Sequence, residues 1–365
     1  MLYATSRPIR ACVDLAAIRN NHGIARRFAG TTKLWAVIKA NAYGHGQIEV
    51  AQALQDVADG FALLEVENAI ALRGIGIRQP LLLLEGFFAP EDIAVLAQLD
   101  VTPVLHSAWQ LEMLTAAEQR PSAVYLKLNS GMNRLGFTPQ MIGAAQAQLK
   151  TLGIRHITLM THFANADLPH GLATQWPCCQ ALRRTTGLPV SFANSAALIR
   201  YPQTRGDETS WARPGIMLYG ASPFADASAA SFGLKPAMTL ESRLIGIQTL
   251  ATGEYLGYGS AFRTDRPMCI GTVACGYADG YPRHAPTGTP IAVGGHLTRT
   301  LGRVSMDMLA CDLSQIPEAK EGTPVTLWGV GEGGTVDVDT VATAAGTISY
   351  ELLCAVTARV PRSWR

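Results

Sequence analysis

Leu34-Trp-Ala-Val-Ile-Lys-Ala-Asn-Ala-Tyr-Gly-His-Gly46 opens as a continuous apolar run, the pattern of a strand buried on both faces. Such strands belong to parallel sheets whose faces are covered by helices. The run delivers one lysine, Lys39, to its end, and a small-residue loop with Tyr43, Gly44 and Gly46 follows. An ammonium leaving a buried strand must reach water, a partner or a covalent bond. An ordinary lysine there snorkels to the surface, so its neighbours decide its role.

Working outward, the same texture repeats. Asp14 can cap a helix whose Leu15, Ile18, Ala25 and Phe28 share one face, just before the run. After it, apolar runs at 61–64, 81–84, 101–105, 123–128, 155–161, 190–193 and, more weakly, 209–213 alternate with helical patterns. Pro90 and Thr138-Pro139 mark helix starts, and Ser107 stands as a cap. Eight strands in strict alternation with helices predict a (β/α)8 TIM barrel over residues 10–232. An open doubly wound sheet would carry a glycine-rich phosphate turn after its first strand, and none is present.

Beyond residue 233 helical periodicity vanishes until the end. Short β-rich runs at 239–250, 268–275, 290–293, 297–311 and 324–328 predict a mainly β C-terminal domain over 233–365, with residues 1–9 packing against it. Gly329-Val-Gly-Glu-Gly-Gly334 matches a nucleotide-loop spacing, but no apolar helix opens behind it, so a hairpin loop is expected.

Composition excludes several classes. With 48% hydrophobic and 16% charged residues the chain is an ordinary globular protein, and a formal charge of +2 argues against nucleic acid or an anionic membrane. No apolar segment has membrane-spanning length, and MLYATSRPIR lacks the core of a signal peptide. The seven cysteines are scattered without C-x-x-C spacing, which points to reduced thiols in the cytoplasm and no metal site.

Barrel chemistry sits at the C-terminal ends of the strands. The polar residues there are Lys39, Lys127 to Arg134, His162, Asn194-Ser195 and Arg213. Pro214-Gly215-Ile216 can open a short helix whose free amides bind an anion, with the Ser195 hydroxyl nearby. A lysine and a phosphate in one bowl suggest a Schiff base to pyridoxal phosphate, or to a sugar phosphate as in an aldolase. Taken singly, Arg134 reads equally as a solvated loop arginine, His162 as a structural histidine, and Tyr277 and Tyr281 as turn aromatics.

Assembled, these residues make the chain similar to alanine racemases nearly end to end. The segments are Ala36-Val-Ile-Lys-Ala-Asn-Ala-Tyr-Gly-His-Gly46, Leu126-Lys-Leu-Asn-Ser-Gly-Met-Asn-Arg134, Thr161-His-Phe-Ala164, Asn194-Ser-Ala196, Arg213-Pro-Gly-Ile216, Gly276-Tyr-Ala-Asp-Gly280, Gly302-Arg-Val-Ser-Met-Asp307 and Ile348-Ser-Tyr-Glu351. The resemblance implies that Lys39 holds pyridoxal 5'-phosphate as a Schiff base and is one of two catalytic bases. Tyr277 would be the other, reaching the site from the second subunit of a homodimer. Tyr43, Ser195, Gly215, Ile216 and Tyr350 would hold the phosphate, Arg213 would face the pyridine nitrogen, and His162 would lie beside it. Arg134 and the Met306 amide would receive the carboxylate of L- or D-alanine. Lys127 matches a position often carbamylated in the family. Asn129 and Asn133 depart from the commonest pattern without removing any of these groups.

Racemisation independently requires two bases, since a proton leaves one face of the α-carbon and returns to the other. A phenol can serve if cations favour its ionised form, and His162 with Arg213 is the expected source. A guanidinium donates only, so a ring nitrogen facing Arg213 stays unprotonated. Rival readings are a racemase of serine or broader range, a basic-amino-acid decarboxylase, or a pyridoxal phosphate carrier without turnover. The carrier class has no second domain and therefore no Tyr277. The expected role is to supply D-alanine for peptidoglycan or to catabolise it.

Overall fold

The computed structural model describes residues 6–365. Eight parallel strands run Lys33–Val37, Gly60–Leu63, Leu81–Leu83, Val101–Leu105, Ala123–Lys127, His156–Met160, Val190–Ser191 and Trp211–Ala212. The last pairs with the first through Lys33 with Trp211 and Leu34 with Ala212. Between the seventh and eighth strands contact narrows to one bridge, Asn194 with Arg213. Closure thus occurs at the C-terminal rim, where the expected site residues gather. Leu34, Ala36, Phe61, Leu82, Val104 and Leu126 are wholly buried, as strands covered on both faces require. At the other end Trp35 stacks on Trp211 at 4.0 Å and donates to the Tyr125 hydroxyl at 2.8 Å.

Helices follow from legible signals. Asp14 accepts from Ala17 N–H at 2.8 Å and caps Leu15–Ala29, whose Ile18 and Ala25 are buried. Pro90 opens Pro90–Gln98 as its first residue. Ser107 precedes Ala108–Ala116 but its hydroxyl makes no cap bond, so that expectation is corrected: the position holds and the bond does not.

The second sheet orders its strands Gly334–Val336, Pro324–Gly331, Pro290–Val293, His296–Leu301, Leu309–Asp312, Met268–Val273, Met238–Leu250, Arg10–Val13 and Arg362–Trp364. A further pairing of Met238–Leu250 with Pro324–Gly331 bends it into a closed ring. Met238–Leu250 pairs with three strands, Arg10–Val13, Met268–Val273 and Pro324–Gly331, and its register shifts between Leu244 and Gly246. The run expected at 297–311 is two strands, separated by the loop that carries Met306. The glycine-rich 329–334 segment is a hairpin, with Gly331 opposite Gly334.

Arg10–Val13, counted with the barrel in the sequence, lies in this second sheet, antiparallel to Met238–Leu250 and parallel to Arg362–Trp364. Residues 1–5 of the N-terminal segment lie outside the described residues. Within the rest, Ile9 is buried and Arg7 pairs with Asp279 at 2.7 Å. Among the described residues no helix is long and apolar enough to cross a membrane.

Candidate active site

Lys39 leaves the first strand and enters an uncommon backbone. Ala40, Asn41, Ala42 and Tyr43 all take φ between 52° and 53°, a left-handed turn that costs each non-glycine residue about 1–2 kcal/mol. Neighbours over-determine it. Ala42 N–H donates to the Ile38 carbonyl at 2.9 Å, Gln47 Nε2 donates to the same carbonyl at 3.0 Å, and Asn41 Oδ1 accepts from Gln47 N–H at 2.9 Å. From the far end of the chain, Arg362 Nε reaches the Gly44 carbonyl at 2.8 Å and Trp364 Nε1 the His45 carbonyl at 2.7 Å. The turn throws Tyr43 back over the barrel mouth, where it stacks on Tyr219 at 4.7 Å and lies 5.9 Å from the Tyr350 ring.

A cavity of about 470 Å³ opens here, lined among others by Lys39, Tyr43, Lys127, Arg134, His162, Ser195, Arg213, Gly215, Ile216 and Tyr350. Ten expected residues therefore share one cavity. Arg213, 4% exposed, donates from one amino group to Ser191 Oγ at 2.7 Å and to the Ser191 carbonyl, and from the other to the Thr161 carbonyl at 2.6 Å. Burial pushes its pKa down to about 10, which leaves it a cation at neutral pH. Asn194 Oδ1 caps Ser195–Arg200 through Ala197 N–H at 2.9 Å, and Ser195 Oγ accepts from Gly215 N–H at 2.9 Å. A Cβ at residue 215 would sit 2.7 Å from Tyr43 Oη. Glycine there keeps an amide, a hydroxyl and a phenol close around one small space, a donor set suited to a phosphate monoester.

The electrostatics are one-sided. Burial lowers the Lys39 pKa, and Glu85 opposes that shift. Lys127, 7% exposed, is pushed down to about 8 by burial and then by Arg213 and Arg134. His162 falls to about 3, by burial first and Arg213 second, so it is neutral. This corrects the expectation that His162 and Arg213 act together as cations: the arginine keeps the charge and denies it to the histidine. Asn129, one of the two departures, organises the loop to Arg134; its Oδ1 accepts from Gly131 N–H at 3.2 Å and Asn133 N–H at 3.0 Å. Gln175, unnoticed in the sequence, ties this loop to the next strand end through Ser130 Oγ at 2.8 Å and the His162 carbonyl at 3.0 Å.

Tyr277 and Met306 are together, but away from the cavity of their own chain. Tyr277 N–H donates to the Ser305 carbonyl at 3.0 Å and Ala278 N–H to the Met306 carbonyl at 2.9 Å. Both side chains are exposed on the second domain. Their turn is braced by Asp279, which is wholly buried, accepts from Gly276 N–H at 2.9 Å, and pairs with Arg7 at 2.7 Å and Arg359 at 2.8 Å.

Known proteins share this layout. The family described as "Alanine racemase, N-terminal domain" matches residues 13–223, and "Alanine racemase, C-terminal domain" matches 237–364. An alanine racemase of Nitrosospira multiformis is 52% identical over 362 residues, covering 98% of this chain and 99% of its own. One from Thiobacillus denitrificans is 55% identical over 359 residues, covering 97% and 95%. The crystal structure of a biosynthetic alanine racemase from Pseudomonas aeruginosa superposes with a TM-score of 0.92 at 48% identity, over 98% of this chain and 99% of that one. Both domain families match in order along nearly the whole length, and the chain belongs to the alanine racemase family.

Proposed function

We propose that the chain is a pyridoxal 5'-phosphate-dependent racemase that interconverts L- and D-alanine by a two-base mechanism. The observation that carries this reading is the convergence, in one cavity, of a lysine with a lowered pKa, the Ser195–Gly215–Tyr43 donor set and the buried Arg213. The residues fit the cofactor. Lys39 would bind it covalently; Tyr43, Ser195, Gly215, Ile216 and Tyr350 would hold the phosphate; Arg213 would face the ring nitrogen with His162 alongside.

Bound there, the cofactor acidifies the α-hydrogen of an amino acid joined to it. Lys39, once free, moves a proton at one face of the α-carbon. Tyr277 of the partner subunit moves one at the other. Arg134 and the Met306 amide of the partner subunit orient the carboxylate. Arg213, oriented by the Ser191 and Thr161 carbonyls, can only donate, so a ring nitrogen facing it would be the acceptor and stay unprotonated. Lys127, whose pKa near 8 leaves part of it as a neutral amine, is the candidate for carbamylation beside Arg134.

The homodimer is supported by the exposure of Tyr277 and Met306 on a surface their own cavity does not use. A barrel over 14–232, with 10–13 joined to 233–365 in the β domain, and a cytoplasmic location complete the proposal, the latter supported by seven free thiols. The test is purified protein with cofactor in deuterated water, offered L-alanine and then L-serine. Deuterium at the α-carbon and loss of optical rotation are expected with alanine; exchange confined to serine would overturn the substrate, and exchange with neither the activity.

A further inference from the structure

Among the described residues Glu85 is the one carboxylic acid lining the Lys39 cavity, and the racemase reading gives it no task. It stands two residues beyond Leu81–Leu83, at the rim. Its backbone is held firmly for a loop. The wholly buried Gln110 donates from Nε2 to the Glu85 carbonyl at 3.0 Å and the Phe87 carbonyl at 3.1 Å, and accepts from His106 N–H at 2.8 Å. Between those carbonyls Gly86 takes φ 76°, and a Cβ there would lie 2.7 Å from Gln110 Nε2. Among the described residues the Glu85 carboxylate makes no hydrogen bond or ion pair. The other acid near Lys39, Glu65, is exposed and already engaged by Asn68 Nδ2 at 2.7 Å.

The surroundings explain what such a carboxylate does. Lys39 shares the cavity with the guanidinium groups of Arg134 and Arg213 and with the amine of Lys127. His162, Tyr43, Tyr350 and Cys354 also face it, and burial keeps the first neutral and the other three protonated. Burial first, and then the Arg134 cation, work against a charged amine at Lys39. Glu85 is the first of the opposing charges, ahead of Glu65, and it acts on Lys127 in the same sense.

We propose that Glu85 is a positioning residue for Lys39: its carboxylate is the counter-ion that draws the free amino group to the third-strand side of the cavity and holds it there. The inference rests on the reading of Lys39 as the cofactor-bearing base. An amine that carries a proton between two turnovers of substrate must keep one place and must be able to stay charged among cations. A carboxylate carried on a clamped backbone and free of other partners meets both needs, forming and breaking no bond itself.

The test is Glu85→Gln in the full chain, which is nearly isosteric and leaves the Gln110 clamp intact. One readout is the pH midpoint of the visible absorbance change of the protein loaded with pyridoxal 5'-phosphate. The other is the titration of Lys39 in unloaded protein, followed by NMR after ¹³C reductive methylation. Removing a negative charge disfavours the protonated nitrogen, so both midpoints fall, by about half a pH unit or more. Glu85→Asp keeps the charge and recovers most of the shift; Glu65→Gln leaves both midpoints in place. Gln110→Ala, which frees the clamp, shifts them less than Glu85→Gln and in the same direction. Wild-type midpoints in Glu85→Gln, or an equal shift in Glu85→Asp, overturn the proposal. Failure of the parent reading shows separately, as borohydride fixing the cofactor to a lysine other than Lys39 in the wild type.

Discussion

Lys39 and Lys127 are two amines in one cavity whose pKa values burial lowers, and they make different predictions. Lys39→Ala is expected to lose the visible absorbance of the loaded protein together with activity, by about 10³-fold or more, checked by spectrum and exchange assay. For Lys127 the sign follows from linkage. Its pKa is about 8 folded against 10.5 for the ordinary side chain, so between those values the unfolded chain binds the extra proton and stability rises with pH. Below about 8 the buried ammonium costs stability on the order of 3 kcal/mol. Lys127→Met should therefore gain about 1–3 kcal/mol at pH 7 and flatten the rise up to pH 10 in urea unfolding. A loss of stability at pH 7 instead indicates that Lys127 bears the opposite charge, as a carbamate. At this scale the sequence was legible for residue types that chemistry restricts: a lysine after an apolar run, an arginine before Pro-Gly. Glu85 and Gln175 were not legible, because an acid and an amide at strand ends carry no local signature until the fold shows what they face.

Single elements position those residues, and the turn after the first strand does so most directly. Its apolar strand and its small residues were readable, but four consecutive left-handed residues were not. That conformation is set by partners such as Gln47 and Arg362, and no propensity encodes it. The turn at Gly215 was read as an anion site from Pro-Gly spacing, and its physical basis is crowding: a methyl group there meets Tyr43 Oη at 2.7 Å. Gly215→Ala is expected to weaken pyridoxal 5'-phosphate retention about tenfold, measured by fluorescence titration, while the melting temperature moves little. An unchanged affinity would move the phosphate elsewhere. The strand expected to run through 297–311 is broken because 302–308 must bend out to present Met306 next to Tyr277. Alternation of side chains cannot report such a bend.

The whole molecule joins two barrels through strands from both chain ends, and here the sequence was readable in outline only. Alternating runs give eight strands, but Arg10–Val13, read with the barrel, belongs to the other sheet, because its partners lie more than two hundred residues away. Tyr277 poses the same problem between molecules, and mixing variants resolves it. Protein bearing Lys39→Ala and protein bearing Tyr277→Phe are each expected to be impaired. Co-assembled at random, they should recover about one quarter of wild-type activity, since half the dimers hold one intact site. No recovery would mean that both bases come from one chain. The braces on the Lys39 turn carry a further consequence, for synthesis. Gly44 and His45 wait for Arg362 and Trp364, 318 and 319 residues downstream. At about 5–20 residues per second that is roughly 15–60 s on the ribosome. On the proposed function, the nascent barrel would meet pyridoxal 5'-phosphate with an unbraced turn, so chains stalled near residue 300 should not develop the visible absorbance that released chains do. On that reading, loading would serve as a final inspection of the whole polypeptide, passed only after its far end has come home.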